Sequence, residues 1–199
     1  MSYLPKIILA SQSPRRAELM RMLKLEFHIV PADIDEKYLR HEAPAAHAQR
    51  LAREKALAIA GQLHDALVVG SDTVVVIDRS VLGKPKDEDE AVAMLMRLQG
   101  RVHRVATGIA VAHYNECIAE TEIVRVKFRA FDELTAREYV KTGEPMDKAG
   151  AYGIQGFGAS LVEWVQGDYF AVMGLPVQRM IRIFAQLGWH YDFKGLVRA

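Results

Sequence analysis

The sequence predicts an α/β protein with a mixed β-sheet flanked by helices. Short apolar runs rich in β-branched residues, the first of them at 6–10, alternate with segments of helical periodicity. Two longer apolar segments, 102–113 and 118–128, meet at Tyr114-Asn115 and predict a hairpin. A hairpin adds antiparallel pairs to the parallel pairs of βα units, so the sheet should be mixed. The chain has 199 residues, 50% of them hydrophobic, and we expect one domain over residues 1–199.

The individual elements follow in chain order from local signals. The first strand stops at Ser11, and Ser13 and Pro14 supply a helix N-cap and a first helical residue. Asp132 is expected to cap a later helix, and Ser80–Lys86 is expected to be a turn. The four glycines within 150–158 exclude a regular helix there. The other predicted strands are 27–30, 67–77 and 161–165, and the other predicted helices are 45–60, 88–98, 132–142 and 175–187.

Composition excludes several classes of protein. Lys+Arg number 26 and Asp+Glu 25, and the net charge of +1 argues against a protein that coats nucleic acid. The longest purely apolar stretches, such as Val74–Ile77, are too short to span a membrane. Cys117 is the only cysteine, which excludes an intramolecular disulfide. The first residues do not have the pattern of a signal peptide, so we expect a soluble cytoplasmic protein.

The segment Ser11–Arg16 is the first candidate binding site. It follows a predicted buried strand and opens a helix, where free N–H groups and the helix dipole favour an anion. Arg15 and Arg16 strengthen that preference, because a guanidinium can donate two hydrogen bonds to one phosphate. The pattern therefore predicts phosphate binding. An N-cap followed by two solvated arginines is the alternative.

Asp72 is the second candidate, because it interrupts two β-branched runs. A carboxylate in such a place is costly to bury without compensation. We therefore expect it at a strand end or beside a cleft, near a cation or a metal, as a general base or a metal ligand. The alternative is that it caps a turn after Gly70-Ser71.

Lys55 is the third candidate, because it falls on the apolar side of its predicted helix. At about 100° per residue, Ala48, Leu51, Ala52 and Ile59 form one stripe, and Lys55 lies within it. A lysine on an inward face either points into a cleft or extends to the rim with its ammonium in water. Both readings stay open on the periodicity alone.

Three further residues carry weaker signals. Pro85 favours an extended backbone at Lys84, whose side chain could then reach a phosphate. Glu36 lies in an acidic loop and is either a functional or a solvated charge. Gln155 lies in the glycine-rich segment 149–156, and its amide can both donate to and accept from the edge of a base. A tight turn between strands is the alternative for that segment.

Together these motifs resemble the Maf family of nucleotide pyrophosphatases. The matching segments keep the family's order and extend over nearly the whole chain. They are 9–16, 33–36, 51–56, 70–75, 83–85, 147–156 and 172–176. The resemblance implies two lobes around a cleft, as in the inosine triphosphate pyrophosphatases. It also implies hydrolysis of nucleoside triphosphates between the α and β phosphates.

The resemblance further implies roles for individual residues. Asp72 matches the family's catalytic base, and Glu36 and Asp72 are the implied ligands of a divalent cation, Mg²⁺ or Mn²⁺. The implied substrate-binding residues are Ser11, Arg15, Arg16, Lys55, Thr73, Lys84 and Gln155. The expected partner is a nucleoside triphosphate, with neither nucleic acid nor membrane, and the family implies a homodimer.

The subfamily follows from a few of these positions. Pro14-Arg15-Arg16, Asp72-Thr73 and the segment 152–156 are similar to those of dTTP/UTP pyrophosphatases. A sister group that acts on 7-methyl-GTP carries a tryptophan where Arg15 stands. The resemblance therefore implies action on dTTP and UTP, and modified pyrimidine nucleotides are further expected substrates. The alternatives are a 7-methyl-GTP pyrophosphatase and a non-catalytic nucleotide-binding regulator of cell division.

Overall fold

The structure is a computed structural model that describes residues 5–63 and 65–199. The start of the chain, for which no signal peptide is predicted, lies largely outside the described residues. The strands are β1 (Lys6–Leu9), β2 (His28–Ile29), β3 (Ala66–Ile77), β4 (Ser80–Leu82), β5 (Val102–His113), β6 (Glu116–Phe128), β7 (Val162–Gln166), β8 (Trp189–Tyr191) and β9 (Leu196–Arg198). The α-helices are α1 (Pro14–Met22), α2 (Pro44–Ala60), α3 (Glu88–Leu98), α4 (Glu133–Lys141), α5 (Tyr169–Met173) and α6 (Val177–Gln186).

The main sheet is mixed, as predicted. Its strand order is β2-β1-β3-β5-β6-β7, with β4 paired to β3. β1 is parallel to both β2 and β3, whereas β3–β4 and β6–β7 are antiparallel. β8 and β9 form a separate antiparallel pair. The predicted connection at Tyr114-Asn115 joins β5 to β6. Strands and helices alternate along the chain, which confirms the α/β class.

The chain divides into two compact units. The first contains Met1–Asp72, Thr107–Glu122 and Gly174–Ala199, and the second contains Thr73–Ala106 and Ile123–Met173. β3, β5 and β6 each contribute residues to both units. Within the described residues, no helix is long and apolar enough to cross a membrane.

In the first unit, α2 packs closely on the sheet because two strand positions are glycine. A Cβ at Gly70 of β3 would lie 2.2 Å from the Ala52 carbonyl oxygen, and a Cβ at Gly108 of β5 would lie 2.1 Å from that of Ala48. Alanines at helical spacing keep the facing side of α2 equally small. The predicted stripe of α2 is therefore confirmed. The close approach also sets the depth of Lys55 on the same side of the helix.

In the second unit, the core lies between the sheet and the helices α3 and α4. The glycine-rich segment crosses this unit in short 3₁₀ turns at Glu144–Asp147, Ala149–Ala151 and Gly156–Leu161. Gly150 has a φ of +71°, and its N–H donates to the Gly83 carbonyl at 2.9 Å. The expectation that 150–158 is not a regular helix is confirmed.

Two local expectations need correction, and some elements were not predicted at all. The predicted turn Ser80–Lys86 contains β4, because Asp78 and Arg79 both adopt positive φ (50° and 63°) and close a two-residue hairpin. Ser13 occupies the N-cap position of α1, but its side chain makes no cap bond, and its own N–H donates to Ser11 Oγ. The helix α5 and the pair β8–β9 were not predicted.

Candidate active site

The predicted phosphate-binding turn is held together by Arg16. Its Nη1 donates to Ser11 Oγ at 2.9 Å, and its Nε donates to the Gly174 carbonyl at 2.8 Å. Burial lowers the pKa of the guanidinium, and the nearby Asp72 carboxylate opposes this effect. Arginine nevertheless stays protonated at neutral pH. The alternative of a plain capped helix with two solvated arginines is therefore wrong for Arg16. The positive charge of the neighbouring Arg15 also lowers the pKa of Arg16.

Lys55 lies between two carboxylates. Its Nζ is 2.7 Å from Asp72 Oδ1 and 2.6 Å from Glu36 Oε1. The side chains of Lys55 and Asp72 are only 10% and 12% exposed, whereas that of Glu36 is 58% exposed. The alternative that Lys55 extends to the rim with its ammonium in water is therefore wrong. The cation that Asp72 was expected to need is this ammonium.

Asp72 lies inside β3 and does not cap a turn. The preceding residue anchors the strand: Ser71 Oγ is 2.7 Å from the Gly108 carbonyl and 2.8 Å from the Gly174 carbonyl. One hydroxyl proton serves these two acceptors in alternation. Because Gly174 also accepts from Arg16, a single carbonyl connects the start of α1 to the strand that carries Asp72.

The loop that carries Glu36 is fastened by a cluster around the buried His47 that the sequence analysis missed. Arg50 of α2 donates to both oxygens of Glu42, at 2.6 and 2.8 Å, and His47 Nδ1 lies 2.9 Å from the same carboxylate. Tyr38 stacks on His47 with ring centroids 3.5 Å apart. Burial is the main cause that raises the pKa of Tyr38 to about 12, and the charge of Asp72 contributes. No single residue of this cluster stands out in the sequence.

Three predicted site residues belong to the second unit. Thr73 follows Asp72 in β3 and is half-buried. The exposed Lys84 lies beside Gly83, whose carbonyl accepts from Gly150, so the Lys84 turn and the glycine-rich segment are neighbours. Gln155 is half-buried just before the turn Gly156–Leu161. The structure thus groups Lys84 with the glycine-rich segment within this unit.

Glu36 and Asp72, the two predicted metal ligands, do not belong to a preformed metal site among the described residues. In residues 5–63 and 65–199, no group of three or more His, Cys, Asp or Glu side chains has an arrangement that would hold a metal ion. Glu36 and Asp72 both face Lys55 Nζ. Two carboxylates still fit Mg²⁺ or Mn²⁺, since such ions are often held by one or two carboxylates together with substrate phosphates and water.

Comparison with known proteins decides the family. A family model described as "Maf-like protein" matches residues 6–187. The chain belongs to the Maf family. The motifs predicted this membership, and the match covers both the Ser11–Arg16 turn and the segment around Gln155.

Curated members of the Maf family align over most of the chain. It is 43% identical to the dTTP/UTP pyrophosphatase of Aquifex aeolicus, over 92% of this chain and 95% of that protein. It is 48% identical to the dTTP/UTP pyrophosphatase of Clostridioides difficile, over 87% of this chain and 91% of that protein. A solved structure, the Ham1 protein of Staphylococcus aureus, is 16% identical to this chain, with a TM-score of 0.47 over 79% of each chain. The predicted resemblance to the dTTP/UTP branch of the Maf family is confirmed.

Proposed function

We propose that this chain hydrolyses nucleoside triphosphates, dTTP and UTP in preference to others, to the monophosphate and pyrophosphate. The observation that carries the proposal is the Glu36–Lys55–Asp72 cluster beside Arg16, in which Lys55 and Asp72 are buried and Glu36 is exposed. It combines carboxylates that can handle a proton with cations that can bind phosphate. The Maf relatives named dTTP/UTP pyrophosphatases, 43% and 48% identical, support the choice of reaction and substrate.

The cationic residues are the proposed phosphate-binding groups. Arg16 is already oriented by Ser11 and by the Gly174 carbonyl, so little side-chain entropy is lost when a phosphate binds. Arg15 follows the same turn and adds a second guanidinium. Lys55 and Lys84 supply ammonium groups that offset the charge of the triphosphate, and such fixed charges stabilise the transition state of phosphoryl transfer.

Asp72 is the proposed general base. Its carboxylate is held by Lys55 Nζ at 2.7 Å, so its position is set before substrate binds. It would take a proton from the attacking water, and Glu36 would orient that water. Glu36 and Asp72 are also the residues that would hold Mg²⁺ or Mn²⁺, and the bound ion would neutralise charge on the phosphate oxygens.

The base preference is assigned to Arg15, Thr73 and Gln155. The amide of Gln155 and the hydroxyl of Thr73 can each donate to or accept from the edge of a pyrimidine. One such bond left unpaired costs about 1–3 kcal/mol, which is roughly 5- to 150-fold in kcat/KM. Modified pyrimidine triphosphates with the same edge should therefore also be accepted.

Pyrophosphate release from a panel of triphosphates tests this function. The panel holds dTTP, UTP, CTP, GTP, ATP and 7-methyl-GTP, each with Mg²⁺, with Mn²⁺ and with chelator. We expect metal-dependent release that favours dTTP and UTP, with the monophosphate as the second product. Activity mainly on 7-methyl-GTP would overturn the roles of Arg15, Thr73 and Gln155. No turnover by folded protein would overturn the enzyme itself in favour of a nucleotide-binding regulator.

A further inference from the structure

Glu144 of the second unit is bonded to the glycine-rich segment from several sides. Its Oε1 accepts the Tyr139 hydroxyl at 2.7 Å and the Gly158 N–H at 3.0 Å, and its Oε2 accepts the Phe157 N–H at 2.8 Å. The Tyr139 oxygen in turn accepts the Gly153 N–H at 3.0 Å. One carboxylate therefore holds the backbone two and three residues after Gln155 and, through one hydroxyl, the backbone two residues before it.

The segment also packs around this carboxylate with no room for side chains. A Cβ at Gly156 would lie 2.4 Å from Glu144 Oε2, and one at Gly158 would lie 2.2 Å from the Gly153 carbonyl oxygen. Gly156 has a φ of +66°, which side-chain-bearing residues rarely adopt. Glycine is therefore required at positions 156 and 158, because the backbone of this segment lies so close around Glu144. Gln155 belongs to the same closely packed segment.

The charge of Glu144 suits its role as an acceptor. Burial alone would raise its pKa, but the hydrogen bonds from Tyr139, Gly158 and Phe157 outweigh burial and lower the pKa. An ionised carboxylate accepts on both oxygens and has no proton to donate. Lys148 adds a positive charge nearby, and its Nζ donates to the Glu144 main-chain carbonyl.

We propose that Glu144 is a positioning residue for base preference, which acts by holding the backbone on both sides of Gln155. This inference rests on the proposed function, since it concerns how Gln155 is presented to the pyrimidine edge. Glu144 makes no contact with the substrate in this proposal. Tyr139 is its relay to Gly153.

Glu144→Gln tests the role with almost no change in shape. Each carboxylate oxygen accepts at least one N–H, so whichever oxygen becomes NH₂ will face a donor and lose that bond. Tyr139→Phe is the second variant, because it removes the relay while it keeps the ring. Glu138→Gln is the matched control: Glu138 is exposed on α4 and pairs only with Lys141 in the described structure.

The readout is the ratio of kcat/KM for UTP to that for CTP, which differ at the base edge. We expect Glu144→Gln to lower this ratio about as much as Gln155→Ala does, by roughly 5-fold or more for one lost bond. The double variant Glu144→Gln/Gln155→Ala should have a ratio no lower than that of Gln155→Ala alone. Tyr139→Phe should move the ratio in the same direction, and Glu138→Gln should leave it unchanged. The kcat for UTP should stay within a few-fold of wild type, since Asp72 and Lys55 are untouched.

Amide hydrogen exchange of residues 153–158, measured on the same proteins, separates positioning from simple scaffolding. Faster exchange in Glu144→Gln together with a lowered ratio supports the proposal. Faster exchange with an unchanged ratio overturns it, because the segment would then loosen without affecting base choice. A wild-type protein that hydrolyses no nucleotide, or hydrolyses all equally, overturns the proposed function before any variant is made.

Discussion

Replacing Lys55 by methionine should leave Glu36 and Asp72 facing each other without the cation that joins them. Methionine keeps most of the length and apolar character of the lysine stem, so the change removes chiefly the charge. In the intact protein both carboxylates lie within 2.7 Å of Lys55 Nζ. The variant therefore isolates the compensation that the buried ammonium provides.

The size of the effect follows from exposure. Removing one partner of a buried ion pair costs about 3–5 kcal/mol. Asp72 is 12% exposed and cannot recover its hydration, whereas Glu36 is 58% exposed and can turn to water. The loss should therefore lie near the lower limit, about 3 kcal/mol. For a chain of this size that corresponds to a fall in Tm of roughly 6–12 °C.

Urea unfolding at pH 7 provides the assay, with Lys141→Met as the matched control. Lys141 and its partner Glu138 are 66% and 60% exposed, so losing that pair should change the stability by less than about 0.5 kcal/mol. The double variant Lys55→Met/Asp72→Asn should be more stable than Lys55→Met alone, because its buried carboxylate is gone. If Lys55→Met cost no more than Lys141→Met, the claim that Lys55 compensates Asp72 would be refuted.

Three other variants test individual elements of the two units. Gly70→Ala would place a Cβ 2.2 Å from a backbone oxygen of α2, so it should cost at least about 1–3 kcal/mol in urea unfolding, while Gly61→Ala, with 3.5 Å of room, should not. The hydrogen bonds from Arg50 lower the pKa of Glu42 from 4.5 to about 2, so that part of the stability should be complete above pH 4.5 and be lost as the pH falls towards 2. Arg50→Met should flatten the dependence in that window, and an unchanged curve would contradict the assignment. Burial lowers the pKa of His103 from 6.5 to about 4, so the unfolded chain takes up the proton first and stability should fall from pH 6.5 to 4; in His103→Gln this slope should be absent.

Some of the site could be predicted because its residues contradict their surroundings. Asp72 interrupts two β-branched runs, and Lys55 interrupts an apolar helical stripe. Each charge in an apolar pattern requires a partner, and the two prove to be partners at 2.7 Å. The approach of α2 to the sheet depends on Gly70 and Gly108, which are visible in the sequence only as two glycines within strands.

The rest depends on bonds between distant or locally unremarkable residues. Glu144 bonds to backbone N–H groups 13 and 14 residues away, and backbone groups carry no sequence signal. The cluster of Glu42, His47 and Arg50 assembles only when a loop folds back on α2. β4 was missed because its turn, Asp78-Arg79, adopts the conformation typical of Asn-Gly without either residue.

The kcat of Asp72→Asn with dTTP and Mg²⁺, beside the wild-type kcat, tests the central claim most directly. The amide keeps the shape of the carboxylate but cannot take a proton from water. The account predicts a fall of about 10²–10⁴-fold, the usual contribution of a general base. Circular dichroism should show that the variant is folded, and the variant should still bind the substrate. A folded Asp72→Asn protein that releases pyrophosphate at the wild-type rate would contradict it.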